Sequence, residues 1–226
     1  MTIDRHGETE STLMSTRSHE GYPGAESFLP PQRDLASLRR AAESCRGCDL
    51  WEKGTQVVFG EGPEDADLVL VGEQPGDRED IEGHPFVGPA GRVLDEGLEA
   101  VGIDRSRVYL TNAVKHFKWE ARGTRRLHKK PSRWEVVACT PWLTSELAAL
   151  TPRVLVLMGA TAAQSLLGSG FSVLRQRGRV PDGPAGLVTV ATVHPSAVLR
   201  APHEQRREQM AAFVDDLRLA AELAGV

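Results

Sequence analysis

Cysteine is scarce in this chain: Cys45, Cys48 and Cys139 are the only three in 226 residues. Three thiols cannot pair completely, so a disulfide framework is excluded, and metal binding or free thiols remain. No stretch approaches the roughly 18 apolar residues that a membrane-spanning helix needs. The N-terminus shows no apolar signal core, so a reducing, cytoplasmic setting and no membrane partner are expected. Positive charge is not in excess either: 27 Lys and Arg face 31 Asp and Glu, for a net charge of -4. A chain of that balance is no basic coat for nucleic acid, and any such contact has to come from a local patch. What is present is a 40% hydrophobic composition, enough for one large domain with a proper core.

Residues 1–30 are polar, without hydrophobic pattern, and read as a flexible tail. Residues 31–226 read as a single domain, with order beginning near Phe28–Pro31. Asp34 is a plausible N-cap for a helix through Glu43, with Leu35, Leu38 and Ala42 on one face. Strands are expected at Leu68–Val71, Val108–Thr111, Val154–Met158 and Leu187–Val193. Helices are expected at about Ala90–Ala100, from Ser132 towards Leu150, at Thr161–Leu167 and at Glu204–Leu223. Ser132 and Glu135 form a capping-box pattern, and Pro141 is expected to kink or break its helix. Short apolar strands alternating with helices give an α/β fold with a central four-stranded, largely parallel sheet flanked by helices. Ligands gather beyond the carboxyl ends of such strands. Three of these strands run into polar clusters: Gly72-Glu-Gln-Pro-Gly76, Asn112-Ala-Val-Lys-His116 and His194-Pro-Ser-Ala-Val-Leu-Arg200.

The run Arg122-Gly-Thr-Arg-Arg-Leu-His-Lys-Lys-Pro131 reads as a loop punctuated by Gly123 and Pro131. It sets His128 among Arg125, Arg126, Lys129 and other cations of a wider patch, Lys115 to Arg133, in which only Glu120 is acidic. Nearby positive charge disfavours protonating an imidazole, and arginines and lysines suit a phosphate backbone. The run therefore suits a neutral nucleophile held against a nucleic acid; a solvated basic loop with an incidental histidine is the alternative. Cys45-Arg-Gly-Cys48 brings two thiolates together, and Cys139 lies on a later helix. A fourth ligand is needed, and His116 is the candidate. Spacing alone leaves zinc and iron–sulfur both open.

Together, Gly72-Glu-Gln-Pro-Gly76, Pro85-Phe-Val-Gly-Pro-Ala-Gly91, Thr111-Asn112 and His194-Pro-Ser196 resemble the ordered motifs of the family 4 uracil-DNA glycosylases. The resemblance covers about residues 40–220. It implies the uracil-DNA glycosylase-like fold, DNA repair and a 4Fe–4S cluster, held in that family by four cysteines. Here Cys45, Cys48 and Cys139 match three of the positions and His116 occupies the other. That departure, Gln74, and the inserted Arg-Arg-Leu-His128 loop are similar to the UdgX-type subgroup, which becomes covalently attached to uracil-containing DNA.

By this resemblance the partner is uracil-containing DNA, single-stranded or with the base flipped out, and the product is free uracil. The chain is expected to act as a monomer. Phe86 is expected to stack on the base, with Gln74 and Asp77 also at the base-binding site. The Asn112 carboxamide matches uracil N3–H and O4, which cytosine would leave unpaired. His194 is expected to donate to uracil O2 as charge develops there, and Glu73 to stabilise the sugar cation or orient the attacking group. Arg125, Arg126, Lys129, Ser196 and Arg200 are the expected DNA contacts. His128 attacking C1′ would give a single-turnover covalent product; water attacking there would make the chain a conventional multiple-turnover glycosylase. A non-catalytic nucleic-acid sensor is the third reading.

Overall fold

The structure, a computed structural model, describes residues 21–178 and 183–226. The first 20 residues of the expected tail lie outside the described residues. In chain order the elements are α1 (Leu35–Ala42), β1 (Leu68–Gly72), α2 (Asp77–Glu82), α3 (Pro89–Ala100), β2 (Val108–Asn112), β3 (Trp119–Arg122) and β4 (Arg125–His128). They continue with α4 (Arg133–Ala149), β5 (Val154–Met158), α5 (Ala160–Leu167), α6 (Val173–Gln176), β6 (Val188–Thr192), α7 (Pro195–Arg200) and α8 (His203–Ala224).

The four apolar runs form one parallel sheet in the order β2-β1-β5-β6. Their side chains alternate between two cores. Val69, Val71, Tyr109, Leu155 and Leu157 pack with α1, α4 and α5 on one face. Leu68, Leu70, Leu110, Val154 and Val156 pack with α3, α7 and α8 on the other. Helices on both faces explain why the two central strands, β1 and β5, are wholly apolar rather than alternating with polar residues. The chain leaves β1 for β2 on one side, then returns to β5 on the other. This reversal is the topological switch point beside which open α/β sheets bind ligands.

The caps form as expected. Asp34 accepts from Ser37 N, and Ser132 and Glu135 close a full capping box at the start of α4. Pro141 lies inside α4 without ending it, and the Thr140 and Thr144 hydroxyls bond main-chain carbonyls around it. Two expectations need correction. The ordered chain starts before Phe28: a 3-10 turn at Ala25–Phe28 contacts α4, and Gly24 N donates to Gly47 O. The stretch read as a loop at 122–131 holds part of an antiparallel hairpin, with Arg122 opposite Arg125 across Gly123 and Thr124. Gly123 supplies the positive φ of 59° that such a tight turn demands.

Candidate active site at the carboxyl edge of the sheet

Parallel pairing sets Gly72 directly beside Asn112 at the ends of β1 and β2. A Cβ on Gly72 would lie 2.4 Å from Asn112 Oδ1 and 2.6 Å from Phe86 Cζ. The missing side chain is what lets the carboxamide and the aromatic ring close over the strand end. Phe86 is buried and adopts φ 57°, the left-handed region that bulky residues avoid. Its loop holds it there: Arg105 Nη2 donates to the Pro85 and Phe86 carbonyls, and Gly91 admits the Phe86 carbonyl against α3. Backbone strain fixed by its surroundings is typical of ligand sites. The Phe86 and His194 rings stack with centroids 6.2 Å apart.

His194 caps α7 after β6. Its Nδ1 lies 2.8 Å from Ser196 Oγ and accepts from Ser196 N at 3.2 Å, while Arg200 Nη1 donates to Ser196 Oγ. A main-chain N–H aimed at Nδ1 requires a lone pair there, so the neutral ring carries its proton on Nε2. Burial, then Arg200 and His128, push the pKa of His194 down to about 4. The result is a neutral N–H donor facing the site. Ser196 and Arg200, expected to touch DNA, are engaged in setting this tautomer.

Glu73 follows Gly72. Thr161 at the start of α5 donates to its Oε2, and Oε1 lies 3.6 Å from His128 Nε2 at the end of β4. His128 is half-exposed and tilts against Phe117. Its pKa is lowered, as the sequence suggested, but through a different cause. Burial is the main one; Glu73 opposes it and Arg200 adds to it.

The hairpin is latched at several points. Arg126 shares a strand face with His128, lies over Phe117 and Trp119, and pairs with Asp77 and Asp80 at 2.6 and 2.5 Å. Gln74 is buried; its Nε2 donates to the Lys118 and Lys129 carbonyls and its Oε1 accepts from Lys118 N. The Gln74, Asp77 and Arg126 side chains thus hold the hairpin. The charge count along the patch also changes, because acids from distant segments enter it. Lys115 pairs with Glu146, Lys118 with Glu135 and Lys129 with Glu120. Arg122, Arg125, Lys130 and Arg133 make no ion pair among the described residues. No sequence pattern marked Thr161 or the Asp80 carboxylate.

Cys45, Cys48, His116 and Cys139, all buried, line one small pocket with Ala25, Gly47, Lys115, Ala138 and Trp142. No disulfide forms. Lys115 N donates to Cys139 Sγ at 3.3 Å and Trp142 Nε1 to Cys45 Sγ at 3.2 Å. Burial pushes the Cys48 thiol up to about 12 and holds His116 neutral by lowering it to about 4. Among the described residues no three His, Cys, Asp or Glu side chains are placed to hold one metal ion. Among the described residues no helix is long and apolar enough to cross a membrane.

The Uracil DNA glycosylase superfamily model matches residues 59–218. The chain is 37% identical over 198 residues to a Type-4 uracil-DNA glycosylase of Archaeoglobus fulgidus, covering 84% of this chain and 94% of the relative. It is 38% identical over 159 residues to the Type-4 uracil-DNA glycosylase of Thermotoga maritima, covering 70% and 79%. A third, from Pyrobaculum aerophilum, is 36% identical over 176 residues, covering 75% and 86%.

Proposed function

The chain belongs to the uracil-DNA glycosylase superfamily, and on that premise we propose that it excises uracil from DNA once and keeps the sugar, bonded to His128. The observation that carries this reading is the approach of His128 Nε2 to Glu73 Oε1 at 3.6 Å, Glu73 following the Gly72 that pairs with Asn112. The reading is of the UdgX type, a uracil-DNA glycosylase-like protein that becomes covalently attached.

Uracil flipped from the strand rests against Phe86, and the Asn112 carboxamide pairs with N3–H and O4. The C1′–N1 bond breaks and its electron pair stays with uracil. His194 Nε2–H stabilises the charge at O2, which asks for a neutral donor in a dry site. Glu73 offsets the positive charge on the sugar. The lone pair of the neutral His128 ring then forms the bond to C1′; the ring's remaining N–H proton passes to solvent, and uracil takes one up. A tethered nucleophile reaches effective molarities of roughly 10⁵–10⁸ M when aligned, so it captures C1′ ahead of water. Arg125, Lys129 and Arg200 contact the phosphates in this reading.

The thiol cavity fits a 4Fe–4S cluster better than a single ion. N–H groups already point at two of the sulfurs, as they would at cluster thiolates. Cys45, Cys48, Cys139 and neutral His116 would hold it. When bound, the cluster supplies structural cross-linking, tying the Ala25–Phe28 turn, the Cys45 segment and α4 together.

The names of the relatives favour a second reading, a glycosylase that uses water and turns over. A denaturing gel after mixing with uracil-containing oligonucleotide separates the two. A detergent-resistant protein–DNA band is expected; repeated uracil release without a band would overturn the trap.

A further inference from the structure

Lys115 and Glu146 form an ion pair whose side chains are 1% and 0% exposed. Neither takes part in the chemistry above. Burying two charges is costly unless every remaining donor and acceptor is satisfied, and here they are densely partnered. Glu146 accepts from Gly60 N, Tyr109 OH and Thr111 Oγ1 at 3.0–3.1 Å. Lys115 Nζ donates to Thr111 Oγ1 at 2.7 Å and to the Asn112 carbonyl at 2.8 Å, and it lies over the Phe59 ring. The ammonium therefore grips the main chain of the residue whose side chain faces the base. Lys115 N, meanwhile, donates to Cys139 Sγ. Glu146 and Cys139 both sit on α4. One lysine thus joins the end of β2 to the helix that carries a cavity thiol.

We propose that the Lys115–Glu146 pair is the positioning element for Asn112, fixing the end of β2 so that the carboxamide meets the uracil edge, and tying that register to α4. The proposal rests on the reading of Asn112 as the uracil selector. The need for a fixed charge pair is physical. Beyond Asn112 the chain leaves the sheet, and its pairing to the β1 end continues through Ala113 N to Gly72 O and Val114 N to Glu73 O. On the outer side of β2, Glu61 pairs antiparallel with Leu110 and Val58 N donates to Lys115 O, but among the described residues no main-chain N–H from that segment reaches the Asn112 carbonyl between them. Lys115 supplies the missing donor.

The test is single-turnover uracil release at saturating protein from a single-stranded uracil-containing oligonucleotide. The variants are Lys115→Met/Glu146→Gln, which removes both charges, and Thr111→Val, which keeps both charges and the shape. Each is also combined with Asn112→Ala. The double variant is expected to be about 10- to 100-fold slower, since small misplacements of reacting groups carry losses of that order. Thr111→Val is expected to be several-fold slower. Binding to a uracil-free strand should stay within about twofold of wild type. Losses should be less than multiplicative with Asn112→Ala, because the two changes act on one contact. If the double variant does not fold, Thr111→Val decides. Wild-type rates in a folded variant, or fully multiplicative losses, overturn the proposal. A wild-type protein that releases no uracil would instead overturn the functional reading beneath it.

Discussion

His128 and His194 are both held neutral, but with different consequences. His194 is part-buried with its Nδ1 lone pair occupied by Ser196 N, so its Nε2 is a donor. His128 is half-exposed, with Nε2 turned towards Glu73. Replacing His128 with Gly should remove the nucleophile while leaving the base site intact. More than one uracil should then be released per protein molecule with no covalent band, counted as abasic sites under excess oligonucleotide. The pH dependence follows in sign. A nucleophilic imidazole works only unprotonated, and the His128 pKa lies below its ordinary value. Adduct formation should therefore stay level from pH 8 to about 6.5 and fall only below that value. Stability should follow the same direction. The folded pKa values of His116 and His194, about 4, lie below the unfolded value of about 6.5. The unfolded chain then binds more protons as the pH drops. Stability is full above about pH 6.5 and is lost towards pH 4, by up to about 3 kcal/mol per group. Urea unfolding of the metal-free protein across that range checks this.

Two elements shape the site. The first is the strand end at Gly72. Gly72→Ala would push a methyl group into Asn112 Oδ1 and Phe86 Cζ. Uracil release should fall by at least about 100-fold, while the sheet, and with it far-UV circular dichroism, stays unchanged. The second is the β3–β4 hairpin. Removing the Arg126 guanidinium leaves Asp80, whose side chain is 0% exposed, without its cation. Arg126→Ala should slow adduct formation by roughly 10- to 100-fold and let water compete, seen as abasic strand rising at the expense of the covalent band. The strands, caps and polar strand ends were legible in the sequence because burial on both faces and capping leave local signatures. The hairpin was not, because a solvated two-stranded ribbon built of Trp-Glu-Ala-Arg and Arg-Arg-Leu-His has no apolar alternation to read. The free charge of the basic patch was overstated for a related reason. Glu146, Glu135, Asp77 and Asp80 reach it only through tertiary contact. Thr161 sits on Glu73 from 88 residues away, a separation no local pattern reveals.

The whole molecule combines a net acidic chain with a small exposed basic edge, so its grip on DNA should be modest and specific rather than general. Four patch cations lack ion pairs among the described residues: Arg122, Arg125, Lys130 and Arg133. Binding to a single strand should then weaken with salt by a log–log slope of only a few units, at about 0.7 per phosphate neutralised. The covalent product, once formed, should ignore salt altogether. With the proposed cluster bound at Cys45, Cys48, His116 and Cys139, Cys139→Ser should cost visible absorbance and thermal stability together. All of these effects surround one proposed event, the capture of C1′ by His128. Intact-mass spectrometry of the denatured protein after mixing with a short uracil-containing oligonucleotide tests it most directly. The expected result is a species with the mass of protein plus oligonucleotide less uracil, absent when His128 is replaced. Unchanged protein mass beside a strand that has lost its uracil would contradict it.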